Sequence, residues 1–296
     1  MSGWDSILRE IHESESAHDG IRRKYIKELS NYTGRNTIVY YSGWLSKPGE
    51  NKTDINDADL QGFMNALNGM NFGKGLDLLL HTPGGDPAAA EAIVSYLRKK
   101  FGKDIRAIIP QQAMSAGTMI ACACKTIVMG NHSYLGPIDP QFAGIPAHNI
   151  EKEFVEAKED LSKHPENAHY WAIKLQQYPA AFMKSALDAI DLADILVKEW
   201  LGTCMFDKKN KKDETKINRI VEKLNNHADS KVHSRHFDID FCKELGLTIE
   251  KLEDDDNMQN AVLNVHHASM LTLDGTSAVK IIENQNDKCM VLTVKN

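Results

Sequence analysis

Short unbroken apolar runs alternate with helical patterns through the middle of the chain. Thr37–Tyr41 (TIVYY) is a β-branched and aromatic run of the kind that forms a core strand. Gly75–His81 (GLDLLLH) is a second such run and stops at Thr82-Pro83-Gly84-Gly85. Ile105–Ile109 and Thr126–Met129 complete the set, the latter leading to the rigid turn Leu135-Gly136-Pro137-Ile138-Asp139-Pro140. Between the strands, Leu60, Phe63, Met64 and Leu67 recur at helical spacing behind Asp57 and Asp59, toward a stop near Gly69. Asp86 can cap a helix that accepts Pro87 in its first turn and runs to about Lys100. Met114-Ser115-Ala116-Gly117-Thr118 opens an alanine-rich helix to Cys124. Strands apolar on both faces, alternating with helices, predict an α/β fold with a mostly parallel sheet covered on both sides.

The flanks read differently. In residues 1–33, Ile7, Leu8, Ile11, Ile21, Tyr25, Ile26 and Leu29 stand at roughly helical spacing in a polar background, which predicts an amphipathic helical arm. From Asn149 onward the pattern is helical, through Phe154 and Ala157 and then Trp171 to Trp200. Lys208–Lys212 reads as a solvated loop flanked by Asp207, Asp213 and Glu214. Beyond it, Val279–Glu283 and Cys289–Val294 predict a terminal hairpin around Asn284–Lys288. The expected division is therefore an arm at 1–35, a core at 36–205 and a smaller α+β appendage at 206–296.

Composition narrows the function classes. Apolar residues make up 42% and charged residues 26%, which suits a packed globular chain. A net charge of −6 argues against a general nucleic-acid or anionic-membrane binder. No run approaches the roughly 18 apolar residues of a membrane span. Asp5, Arg9 and Glu10 interrupt the first ten residues, so no signal peptide is expected there. Five scattered cysteines do not suggest a disulfide framework, and Cys122 and Cys124 read as buried thiols. The expected compartment is the cytoplasm. His266-His267 does not read as a metal site, because adjacent helical residues do not face one ligand position. No metal and no cofactor are expected.

The candidate chemistry lies in two glycine-containing strand-to-helix turns about thirty residues apart. Each puts backbone N–H groups at a helix start, where an anion is favoured. Gly84-Gly85 lets the backbone approach a ligand without a Cβ in the way. Ser115 stands between Met114 and the small Ala116 and Gly117, so its hydroxyl can be exposed at a tight turn. If the turns are adjacent, the Gly85 and Ala116 N–H groups converge beside Ser115 Oγ as an oxyanion hole. Taken singly, Gly-Gly after a strand is an ordinary turn and a serine opening a helix is an ordinary N-cap.

Three segments in order, His81-Thr82-Pro83-Gly84-Gly85, Met114-Ser115-Ala116-Gly117-Thr118 and Leu135-Gly136-Pro137-Ile138-Asp139-Pro140-Gln141, resemble the serine dehydrogenase proteinase family. That family is related to signal peptide peptidase A and the Clp protease proteolytic subunit. The resemblance covers residues 37–142 most strongly, and more weakly the helices to Trp200 and His233–Glu250. It implies a Clp–crotonase fold, Ser115 as nucleophile, the Gly-Gly turn as an oxyanion donor, peptide or protein substrates and a homo-oligomer.

The chain departs from its relatives at the base. The Clp subunit carries a histidine roughly where this chain has Ile138-Asp139, and His132 lies too early to serve. Signal peptide peptidase relatives use a downstream neutral lysine, for which Lys152, Lys158, Lys163 and Lys174 are candidates. Lys174, among Trp171, Ala172, Ile173 and Leu175, has the most apolar setting. His233 and a neighbouring subunit are further possibilities. Asp139, boxed by Pro137 and Pro140, either orients a base or binds a substrate amine, or else caps its turn. Two other readings compete with hydrolysis: a crotonase-like enzyme polarising a coenzyme A thioester, and an inactive scaffold that binds a partner protein.

Overall fold

The structure, a computed structural model, describes residues 3–13, 18–50, 52–142, 144–225 and 234–294. Its strands are β1 (Asn36–Ser42), β2 (Leu76–His81), β3 (Ile105–Ile109), β4 (Gln112–Ala113), β5 (Thr126–Met129), β6 (Tyr134–Leu135), β7 (Gln141–Phe142), β8 (Ile145–Pro146), β9 (Ile249–Lys251), β10 (Ala278–Asn284) and β11 (Cys289–Thr293). Seven of them form one sheet in the order β11-β10-β1-β2-β3-β5-β9. The run from β1 to β9 is parallel, and at the β1 edge β10 pairs antiparallel with β1 and forms a hairpin with β11.

Side chains alternate across this sheet, and both sets are apolar. Ile38, Tyr40, Leu78, Leu80, Ala107, Ile109, Ile127 and Met129 face one core. That core is closed by α3 (Asp59–Leu67), α4 (Pro87–Phe101), α5 (Ala116–Cys122), α8 (Phe182–Trp200), α9 (Lys211–Asn225) and α10 (Ile239–Leu245). Val39, Tyr41, Leu79, Ile108, Val128 and Ile281 face the other core, under α1 (Trp4–Glu13), α2 (His18–Thr33) and α11 (Asp256–Gly275). Between Phe142 and Trp200 the chain leaves the sheet as α6 (Ala147–Lys163), α7 (Ala168–Leu175) and α8. Phe142, Phe154, Phe182 and Ile150 form a small separate apolar cluster there.

Two expectations about the flanks change. The N-terminal helices are no projecting arm, because Ile7, Ile11, Ile21, Ile26 and Leu29 are buried against Met258, Val262 and Val265 of α11. Arg22, fully buried on α2, pairs with Glu283 of β10 at 2.6 Å. Removing one member of such a buried pair typically costs about 3–5 kcal/mol, so α2 is held as part of the layer. The described residues of 206–296 are likewise built into the core fold: they supply β9 at one edge of the sheet and the β10–β11 hairpin at the other. Helical spacing shows that a face is apolar without showing what it packs on. No helix among the described residues is long and apolar enough to cross a membrane.

Candidate active site

Four backbone segments fix the geometry of the site. Beyond β2, Thr82 forms a parallel bridge with Ala113 of β4. The Thr82 N–H donates to the Gln112 carbonyl at 3.1 Å, and the Met114 N–H donates to the Thr82 carbonyl at 3.0 Å. The Gly84-Gly85 turn and Ser115 are thereby brought side by side. β4 pairs in turn with β6, and Leu135 forms an antiparallel bridge with Phe237. Thr118 closes the unit from within α5: its hydroxyl donates to the Ala113 carbonyl at 2.8 Å and accepts from the Gly136 N–H at 3.0 Å.

Ser115 occupies the corner between β4 and α5 at φ 51° and ψ −118°, a conformation that side-chain-bearing residues rarely adopt. Such strain costs on the order of 1–3 kcal/mol, and it characterises serines held on sharp strand-to-helix turns. The ordinary N-cap reading fails, because the Ser115 side chain makes no cap hydrogen bond. The residue is half-buried and lines a cleft of about 530 Å³.

The two glycines are required by conformation and by space. Gly84 has φ 101° and Gly85 φ 147°. A Cβ on Gly84 would stand 2.6 Å from Ser115 Cβ and 2.7 Å from the Met114 carbonyl oxygen. A Cβ on Gly85 would stand 2.4 Å from both the nitrogen and the oxygen of Ile55. The Gly84 N–H is taken by Thr82 Oγ1 at 3.2 Å, so Gly84 is not the free donor of the pair. The N–H groups of Gly85 and Ala116 have no acceptor among the described residues, and both residues line the cleft with Ser115.

A strap from Thr53 to Asn56 holds the glycine turn from its other side, and sequence reading missed it. The Ile55 N–H donates to the Gly84 carbonyl at 2.7 Å, and the Asp86 N–H donates to the Ile55 carbonyl at 2.9 Å. Asp54 lines the cleft, and burial raises its carboxyl above the ordinary carboxylate range despite the nearby Lys280. The other walls are mainly apolar, from Met119, Ile138, Phe142, Ala189 and Ala193.

Lys174 is not the buried neutral lysine that the sequence suggests. It lies on α7 with a third of its side chain exposed, ion-paired to Glu153 at 2.6 Å, and that hydrogen bond raises its pKa. Of its apolar neighbours, Ile173 is exposed, and the buried Trp171 lies under the ammonium at 4.9 Å to the ring centroid, a contact that favours the charged form. Neither lysine nor histidine lines the cleft among the described residues. Asp139 is fully buried and accepts from Gln141 Nε2 at 2.9 Å, between the cleft residues Ile138 and Pro140. His233 lies outside the described residues. His132 is half-buried, 3.9 Å from Glu253, and does not line the cleft.

A mostly parallel α/β sheet carrying a strained serine beside two backbone donors that are unpaired among the described residues has the arrangement of a serine hydrolase. The chain belongs to the ClpP-like SDH-type serine proteinase family, whose model matches residues 22–279. Two relatives from Methanocaldococcus jannaschii are themselves uncharacterized. Protein MJ0137 is 35% identical over 136 residues, covering 44% of this chain and 46% of the relative. Protein MJ1495 is 39% identical over 87 residues, covering 29% of this chain and 30% of the relative. The matched stretch thus spans under half the length of either relative.

Proposed function

We propose that the chain hydrolyses peptide or protein substrates through an acyl-enzyme on Ser115. Ser115 Oγ attacks the scissile carbonyl carbon and gives up its proton to an acceptor. The carbonyl oxygen becomes an oxyanion that accepts hydrogen bonds from the Gly85 and Ala116 N–H groups. The C–N bond then breaks, and the leaving amine takes the proton back from the acceptor. Water hydrolyses the ester by the same route in reverse, restoring Ser115. Each oxyanion donor contributes roughly 3 kcal/mol to such a transition state. The observation that carries this reading is the uncapped Ser115 hydroxyl, held at positive φ beside two N–H groups without acceptors. A crotonase-like site needs the donors and not the serine, and the strain at Ser115 supports the hydrolase.

The acceptor we propose is His233, oriented by Asp139. Leu135 and Phe237 are antiparallel partners. Asp139 is fully buried between the cleft residues Ile138 and Pro140, where a carboxylate could orient an imidazole that reaches the cleft. A buried aspartate that orients an imidazole is the usual complement of a serine nucleophile. We also propose that the protein acts as a homo-oligomer, which sedimentation at micromolar concentration would test. Site occupancy is tested with a fluorophosphonate probe and mass spectrometry. A covalent adduct on Ser115 is expected, and equal labelling of wild type and Ser115→Ala would refute the assignment.

A further inference from the structure

Lys280 is an outlier in its strand. It sits in β10 between Val279 and Ile281, and its side chain is fully buried. Its ammonium donates to Asp59 Oδ1 and Oδ2 at 2.8 and 3.0 Å and to the Asp54 carbonyl at 2.7 Å. All three of its donors are therefore used. Asp59 also accepts from the Tyr40 hydroxyl at 2.7 Å and from the Asn56 N–H at 3.1 Å. One residue earlier, the Thr53 carbonyl accepts from Ser42 Oγ at 2.7 Å.

Each residue of the strap is thus anchored. Thr53 is held by β1, Asp54 by Lys280, Asn56 by Asp59, and Ile55 grips the Gly84-Gly85 turn on both sides. A buried ion pair seldom adds much net stability over an apolar pair of the same size, so its presence calls for another role. Here both charges end on backbone groups of the segment that hydrogen-bonds Gly84 and Asp86 from the side opposite Ser115. Ile55 is packed into the apolar core, but Asp54 is exposed, and its carbonyl is fixed by the Lys280 hydrogen bond.

We infer that Lys280, paired with Asp59, is a positioning residue for the Gly85 oxyanion donor, acting through the Thr53–Asn56 strap. This rests on the reading of Ser115 as a nucleophile facing that donor. Small displacements of a donor lower the rate of the chemical step with little effect on binding, because the donor's hydrogen bond strengthens only as the charge develops. Lys280 should therefore influence reaction at Ser115 without touching substrate.

The test uses a fluorophosphonate probe on the full chain. Ser115 Oγ gives its proton to the acceptor and forms a bond to phosphorus, fluoride leaves, and the phosphonyl oxygen takes the oxyanion position. Two variants are compared: Lys280→Met, and Lys280→Met with Asp59→Asn, which removes both charges while keeping an oxygen for Tyr40 and Asn56. The double variant should recover most of the stability that the single one loses. In both, the limiting labelling rate should fall at least about tenfold with the probe's half-saturating concentration nearly unchanged. Amide exchange at Ile55 and Asp86 should quicken in parallel. A folded double variant that labels at the wild-type rate overturns the inference while leaving Ser115 in place. Loss of folding in both variants assigns the pair to stability alone and also overturns it. Absence of Ser115 labelling in the wild type removes the underlying reading instead, and this inference with it.

Discussion

Thr82, one residue beyond β2, forms a parallel bridge with Ala113 of β4, and that bridge brings the glycine pair next to Ser115. Thr82 is fully buried, and its backbone donates to Gln112 and accepts from Met114. Gly117 adds to the closeness, since a Cβ there would stand 2.5 Å from Thr82 Cγ2. The site is a property of this junction, and its consequences can be measured.

Ser115→Ala should abolish fluorophosphonate labelling and peptide hydrolysis with little change in melting temperature. Alanine keeps the backbone strain and loses only a hydroxyl that makes no structural hydrogen bond. Ser115→Gly should be equally inactive but more stable by about 1 kcal/mol, because glycine tolerates φ 51°. Thermal unfolding of the three proteins checks the ranking, and full turnover by either variant would remove Ser115 from the chemistry.

Gly85→Val should lower both activity and stability. A rate loss with the fold spared would suit a simple exposed turn, but the strap leaves no room for a side chain. Its Cβ would meet Ile55 backbone atoms at 2.4 Å at a φ of 147°. A loss of a few kcal/mol is expected from backbone strain and overpacking together. Urea denaturation gives the stability change, and labelling rate gives the activity change. A variant as stable as wild type would show that Ile55 yields.

Stability should fall as pH drops below about 6.5. His81 is fully buried between Tyr41, Trp44 and His266, and neither ring nitrogen has a partner among the described residues. Burial pushes its pKa down to about 3. Burial, reinforced by His81 and His267, pushes His266 well below its ordinary value too. Both pKa values are lower folded than unfolded, so the unfolded chain binds the extra protons. Stability is complete above the unfolded value and is lost toward acid, at up to about 1.4 kcal/mol per pH unit for each group. His81→Phe should flatten the dependence between pH 6.5 and 4 in urea titrations, and an unchanged slope would count against it.

The base is tested by three variants. Lys174→Met should keep near-wild-type activity, because its ammonium is partnered by Glu153 and held charged at neutral pH. His233→Gln should be inactive, and Asp139→Asn should lose roughly a thousandfold or more, as an orienting carboxylate does. The pH profile of kcat/KM should rise near 6.5, the ordinary histidine value. A rise only in the alkaline range, with activity surviving in His233→Gln, would exclude the histidine and point to an amine.

The core strands and helices were legible because each buries an apolar set with a period set by local geometry. Thr37–Tyr41 and Ile105–Ile109 need no partner to be recognised as strands, and Asp86-Pro87 marks a helix start by its own chemistry. The glycine pair and Ser115 were legible as unusual turns in the right order. Their contact was not, since it depends on the pairing of Thr82 with Ala113, and pairing carries no sequence period. The same holds for the flanks, which an apolar stripe marks as buried without saying against what. Tertiary structure alone decided that Ile7 to Leu29 lie under α11, and that Lys280 reaches across more than two hundred residues to hold Asp54 and Asp59. A lysine in the apolar run Val279–Ile282 was the visible signal for the last of these. Local free energies write secondary structure into short windows of sequence, whereas long-range hydrogen bonds and charge pairs exist only once the chain has closed on itself.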